Sequence, residues 1–354
     1  MTSIGILGAS SQVGASVASC LKGFPDVRVT CFIRSTYSKP FFDLLEIDCQ
    51  IIQDDDPGLR DKIGAMDVVL DFRYPSGQLQ EILQRSKVTI GHVLANLKKG
   101  SMYFYMSSIM AYGMPDGEKW IGHYYFPRTS YAYIKRRLEK FTRKRGKQLG
   151  VQIFNFRLGQ VHGFLQSVNG SFRKKLSDSA IALVDGNPDD PVNIIFIYPL
   201  CEAIIRCIRG FHPAGLYTLV SSPQWTLKEL YDYYLRYYEL PAHLEFSPAG
   251  VKKKGKTFFQ RGIDLVRPFR SLLETYILMR NPGLAVRLKG RFRQAELLRP
   301  EPSRGGERDY IDFNLLGKPP LKVIPGLTTD PEKIFQLEKE QEEYYNRIIV
   351  SSRR

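Results

Sequence analysis

Residues 3–7, Ser-Ile-Gly-Ile-Leu, form a short apolar run that stops at Gly8. The turn Gly-Ala-Ser-Ser-Gln-Val-Gly (8–14) then leads into 15–24, where apolar residues recur at helical spacing. Strand, tight turn and helix in that order constrain this chain more than any other stretch. The first glycine permits the turn, the helix N-terminus turns free N–H groups and a positive dipole end toward an anion, and the last glycine lets helix and strand approach. Gly8 and Gly14 take the first and third places, and Ser11 stands where a middle glycine would be. Ser10, Gln12 and Val13 complete a loop expected to cradle a pyrophosphate.

A second apolar run, 27–33, ends at Arg34, close to the place about 20 residues after the turn where a ribose-binding residue is expected. An acid there would bind the ribose hydroxyls of NAD(H), whereas arginine pairs with a 2′-phosphate, so Arg34 favours NADP(H) and leaves NAD(H) open. Further strands are predicted at 50–53, leading into Asp54, Asp55 and Asp56, at 67–72 and at 102–106, with helical stretches between them. The expected fold class is α/β: a Rossmann-type doubly wound parallel sheet with a smaller C-terminal α/β substrate domain.

The strand 102–106 runs into Ser107 and Ser108, and Tyr131 follows 23 residues after Ser108. Strand C-termini are where such a sheet presents its site. Tyr131 and Lys135 are four apart, one turn from each other on one helix face. A free tyrosine, with a pKa of about 10, is a poor proton carrier at neutral pH, and a nearby ammonium is expected to lower that value. Ser108 would then hold a substrate oxygen, Tyr131 would exchange its proton, and a nicotinamide would exchange a hydride with the same carbon.

The glycine turn, the Ser-Ser-x-x-x-Tyr-Gly stretch (107–113) and the Tyr-x-x-x-Lys helix, in that order, resemble the extended short-chain dehydrogenase/reductase family, which includes UDP-galactose 4-epimerase and the nucleotide-sugar dehydratases. The stretches 156–163 and 215–222 resemble later strands of that family, so the likeness covers roughly residues 1–240. It implies a seven-stranded parallel sheet binding NAD(P) and Ser108, Tyr131 and Lys135 as catalytic residues. It also implies that Lys135 binds the nicotinamide ribose and that Asp55 or Asp54 contacts adenine. Departures are Ser11, Val88 where an active-site asparagine often stands, Asp-Phe-Arg-Tyr (71–74) in place of small residues near the cofactor, and Ile-Tyr-Pro-Leu (197–200) in place of an acidic pair. Phe72 and Arg73 are accordingly placed at the cofactor.

In the substrate half, Arg173 and Lys174, with Lys175 beside them, are candidates to neutralise a substrate diphosphate or to form a solvated helix face. His162 lies beside the presumed cleft as a packing residue, and no metal cluster accompanies it. The expected division is 1–165 for NAD(P), 166–300 for substrate with a returning strand near 192–198, and 301–354 for an extension ending in a helix. Net charge is +15, and 251–299 holds 13 Lys and Arg against 3 Asp and Glu. That segment suggests an anionic partner: a phosphorylated small-molecule substrate first, an anionic membrane surface touched peripherally second, nucleic acid least. The five cysteines show no paired spacing, and no run approaches the roughly 20 apolar residues of a membrane span, so a cytoplasmic protein with free thiols is expected. The resemblance further implies a homodimer. These features predict an NAD(P)-dependent oxidoreductase acting on a phosphorylated sugar, as an NADPH-dependent reductase first and a nucleotide-sugar epimerase or dehydratase with tightly held NAD+ second. A non-catalytic NADP-sensing or scaffold protein is the reading from a different class.

Overall fold

The computed structural model describes residues 1–53, 58–75, 77, 79–112, 130–178, 180–247 and 323–352. Asp54, Asp55, Gly113 and the basic segment 251–299 lie outside them.

Seven parallel strands make the central sheet: β1 (Thr2–Leu7), β2 (Val27–Ile33), β3 (Asp48–Ile51), β4 (Val68–Asp71), β5 (Met102–Ser108), β6 (Gln152–Leu158) and, with three short strands intervening, β10 (Gly215–Leu219). Their order is β10-β6-β5-β4-β1-β2-β3. The order reverses at β1, so the C-terminal ends of β1 and β4 flank the crevice where such sheets bind ligands. The middle strands are buried along nearly their whole length, as β4 and β5 show. Both faces are covered, which is why these strands read as continuous apolar runs rather than alternating ones.

On one face, α1 (Gln12–Lys22) and α7 (Ile197–Ile208) pack over Ile4, Ile6, Phe104 and Phe154. On the other, α4 (Leu79–Asn96) and α5 (Ser130–Leu149) cover Val69, Tyr103, Tyr105 and Ile153. Two short helices, α2 (Lys39–Leu44) and α3 (Leu59–Gly64), complete the crossovers.

A third core gathers around Trp225, Tyr231, Tyr233, Tyr234 and Phe196. It is built from α6 (Ser167–Ser177), β8 (Ile181–Asp185), β9 (Ile194–Phe196), α8 (Leu227–Tyr237) and β11 (His243–Ser247). The expected returning strand is β9, but it pairs with β7 (Gln160–His162) in a separate two-stranded sheet. The seventh place in the main sheet goes to β10, beside β6. β9 still reaches both cores, through Ile195 on one side and Ile194 and Phe196 on the other.

The predicted final helix is α9 (Pro331–Ser352). Its lead-in is pinned to the body: Arg206 donates to the carbonyls of Pro325 and Gly326, Thr328 donates to Glu202, and Trp225 Nε1 donates to Thr329 O at 2.7 Å. Tyr345 enters the first core and Ile334 the third, so α9 ties the two together. Among the described residues no helix is long and apolar enough to cross a membrane.

Candidate active site

Ser11 does what the missing middle glycine would not. It caps α1, its Oγ accepting from Gly14 N at 3.1 Å and donating to Gly8 O at 2.8 Å. The cap satisfies one of the free helix N–H groups. Gly8 has φ +71°, a left-handed conformation that favours glycine, and a Cβ on Gly14 would stand 2.5 Å from Gly8 O.

Over this turn lies a cleft of about 210 Å³, lined by Gly8, Ser10, Ser11, Arg34, Phe72, Arg73, Tyr74, Arg85 and Thr89 among others. Three arginines, two serine hydroxyls and no carboxylate among the described lining residues fit the phosphates of a dinucleotide, so the donor set suits the cofactor the sequence implies. Gln12 and Val13 are not part of this lining: Gln12 Oε1 accepts from Ser167 N at 3.3 Å, and Val13 packs on the first core. The cause is the helix turn, which swings both side chains toward α6 and the sheet.

Asp71 is buried and ion-paired with Arg73 at 2.7 Å, and Tyr103 Oη donates to it. Burial alone would push this carboxyl up. The Arg73 charge and the bonds from Arg73 and Tyr103 outweigh that and hold it below its ordinary value. Arg73 is thereby held beside Gly8, on the wall of the cleft. Thr89, not Val88, faces that cleft from α4; Val88 is 46% exposed.

A second cavity, of about 600 Å³, opens past Ser108. Its walls include Met110, Gln160, Phe172, Lys175, Asn193 and Tyr231. Lys175 reaches it with Nζ bonded to Tyr231 Oη at 2.8 Å. Arg173 and Lys174, the expected substrate cations, do not line it; Arg173 lies over the Tyr238 ring. One residue along a helix rotates a side chain by about 100°, and here that step decides which cation faces the ligand space. His162 is fully buried, with Nδ1 2.6 Å from Tyr234 Oη, and burial pulls it down to about 3, as befits a neutral packing residue.

The predicted triad comes together. Ser108, at the end of β5, lies close enough to the Tyr131 hydroxyl for its side chain to act on it. Lys135, 5% exposed, places Nζ 5.6 Å from the Tyr131 ring centre and donates to Met106 O at 2.7 Å. The expected electrostatic help differs. Burial raises Tyr131 above its usual value, with the Ser108 side chain opposing, while Lys135 itself is pulled down to about 8, because burial outweighs the attraction of Asp71 and Glu139. The ammonium faces a carbonyl and three aromatic rings, those of Tyr74, Tyr105 and Tyr131, rather than the phenol oxygen.

One turn beyond Lys135, Glu139 forms a buried ion pair with Arg157 on β6 at 2.7 Å and accepts from Ser107. Arg157 also lies 4.0 Å over the ring of Tyr112, which bonds Thr218 on β10. The spacing of Tyr131, Lys135 and Glu139 on one face was the available signal for this pair. Arg85 and Thr89, four apart on α4, were signalled in the same way.

The family model for the NAD dependent epimerase/dehydratase family matches residues 4–194, more than half of the chain. The chain belongs to that family. No curated protein sequence matches it. Among solved structures, the UDP-N-acetylglucosamine 4-epimerase from Bacillus cereus is similar with TM-score 0.55 and 15% identity, covering 79% of this chain and 97% of the epimerase. The UDP-glucuronic acid 4-epimerase from Bacillus cereus, in complex with UDP-glucuronic acid and NAD, gives 0.53 and 14% over 70% of this chain and 86% of its own. The dTDP-glucose 4,6-dehydratase from Bacillus anthracis str. Ames, in complex with NAD, gives 0.54 and 13% over 70% and 85%. At such identities the likeness speaks for the fold, and the epimerase/dehydratase membership rests on the family match.

Proposed function

We propose that this epimerase/dehydratase family member acts on a carbon bearing a hydroxyl or keto group in a nucleotide-sugar, with NAD as its cofactor, and that it epimerises that carbon. The observation carrying this is the convergence of Ser108, on the wall of the 600 Å³ cavity, with Tyr131, whose hydroxyl feels the Ser108 side chain, and Lys135 beside the Tyr131 ring. In this reading Ser108 orients the substrate oxygen and Tyr131 takes and returns its proton. Lys135 supports the phenol from one turn away, and Lys175 meets a phosphate at the far wall. Bound NAD supplies the hydride acceptor. Elimination of water needs a further base to remove a carbon-bound proton, and the described residues lining the cavity include no carboxylate, which favours epimerisation over dehydration.

The NADPH-dependent reductase reading gives way, since the family and its structural relatives point to NAD. Arg34, exposed at the end of β2 and on the cleft wall, is the sole support for NADP among the described residues. Mass spectrometry of the purified protein separates the two: retained NAD is the expected result, and retained NADP overturns the cofactor assignment. With a panel of UDP- and dTDP-sugars, Tyr131→Phe is expected to lower epimerisation by about 10²- to 10⁴-fold while NAD stays bound. Unchanged turnover removes Tyr131 from the chemistry.

A further inference from the structure

Tyr74 follows β4 on the wall of the cofactor cleft, and its surroundings say what it does. Its ring meets the Tyr131 ring edge-on, centres 5.0 Å apart with an interplanar angle of 62°. The Lys135 ammonium lies over its face, 5.3 Å from the centre. Tyr74 also lines the cofactor cleft, beside Arg73 and Pro75. Tyr74 is 40% exposed while Lys135 is 5% exposed, so the ring lies between the ammonium and solvent. The stretch bearing it is anchored from within: Asp71 is buried, and Arg73 binds it through backbone N and through the guanidinium, at 3.0 and 2.7 Å. That clamp fixes the chain one residue before Tyr74.

We propose that Tyr74 is a positioning residue: its ring roofs Tyr131 and Lys135 at the mouth of the cofactor cleft, holding the phenol in place and keeping the ammonium dry. The proposal rests on the use of Tyr131 and Lys135 described above, but the roof itself is a structural claim that is read separately. Facing Lys135 are Asp71 from β4, Tyr74 from the following loop, Tyr105 and Met106 O from β5, and Tyr131 and Glu139 from α5. Asp71 and Glu139 are each already paired, with Arg73 and Arg157. The largest influence on Lys135 is burial, and Tyr74 is a half-exposed part of what buries it.

Removing the ring has two opposed effects. Loss of the π face disfavours the ammonium by about half a pH unit. Entry of water favours it by more, because burial is what drew Lys135 down from 10.5 to about 8. The net expectation for Tyr74→Ala is an upward shift of about one unit, while Tyr74→Phe keeps the roof and the wild-type midpoint.

The test is NMR titration of the full-length protein carrying ¹³Cε-labelled lysine, with the Lys135 resonance assigned by its loss in Lys135→Met. A midpoint near 8 in the wild type, raised in Tyr74→Ala and restored in Tyr74→Phe, supports the roof. An unchanged or lowered midpoint in Tyr74→Ala overturns it, and so does a Phe variant that behaves like Ala. Turnover of UDP-sugars by the same proteins reads the functional assignment: the Ala variant is expected to lose at least about tenfold in kcat with little change in substrate KM, and Phe to recover it. If the wild type turns over none of the panel while the lysine midpoints shift as described, the epimerase reading fails and the roof stands.

Discussion

Glu139→Leu destabilises the protein by about 3–5 kcal/mol, read as a lowered urea midpoint with unchanged slope. Glu139 and Arg157 are 5% and 1% exposed, and two hydrogen bonds join them at 2.9 and 2.7 Å. Removing the carboxylate strands a guanidinium in the interior and also takes the acceptor from Ser107. The cost is that of an uncompensated buried charge, and it exceeds what the pair itself contributes. The double variant Glu139→Leu with Arg157→Met is therefore expected to regain most of the loss. A single variant within about 1 kcal/mol of the wild type would show that water reaches Arg157 and that the pair is not dry. Because Ser107 precedes Ser108 and Glu139 follows Lys135 by one turn, the same change should loosen the triad even where the fold survives.

The second large effect is a pH dependence seated in α9. Glu338 is 2% exposed on that helix, near Gly163, with the backbone N–H of Phe164 close enough to favour its charged form. Burial drives its carboxyl from 4.5 up to about 8, Glu342 adding to the rise and the Phe164 N–H opposing it. Tyr233, Tyr234, Tyr237, Tyr238 and Tyr345 surround it, and none supplies a compensating charge. The folded value lies above the unfolded one, so the stability tied to this proton is full below pH 4.5 and is lost as pH rises through about 8. The loss has an upper limit of about 5 kcal/mol. Glu338→Gln keeps the shape and removes the titration. Thermal unfolding of both proteins from pH 5 to 9 should show the variant gaining on the wild type up to about pH 8 and levelling off above it. Parallel curves would mean that Glu338 is ionised and hydrated in the folded state.

Much of the site could be read from local sequence, for reasons that are themselves local. The Gly8–Gly14 turn is legible because backbone sterics demand glycine at φ +71° and at a 2.5 Å approach. Tyr131 and Lys135 are legible because four residues make one helical turn. Their partners on other strands were not. Tyr74 reaches Tyr131 from β4's following loop, Glu139 finds Arg157 across β6, and Lys175 finds Tyr231 on α8. Val88 and Thr89, or Lys174 and Lys175, differ only in helical phase, which the sequence does not anchor until the helix is packed.

The sequence by itself determined the parallel sheet, its order of elements, the glycine turn and the spacing of Ser108, Tyr131 and Lys135, since each follows from periodicity or backbone conformation within a short stretch. Only the tertiary structure decided the protonation of the site. Whether Lys135 stands at 10.5 or about 8, and whether Glu338 is a carboxylate or a neutral acid, depends on how much water the packed neighbours exclude. Desolvation is a property of the assembled interior, contributed by residues as far apart in the chain as Tyr74 and Lys135 or Phe164 and Glu338, and no single segment carries it.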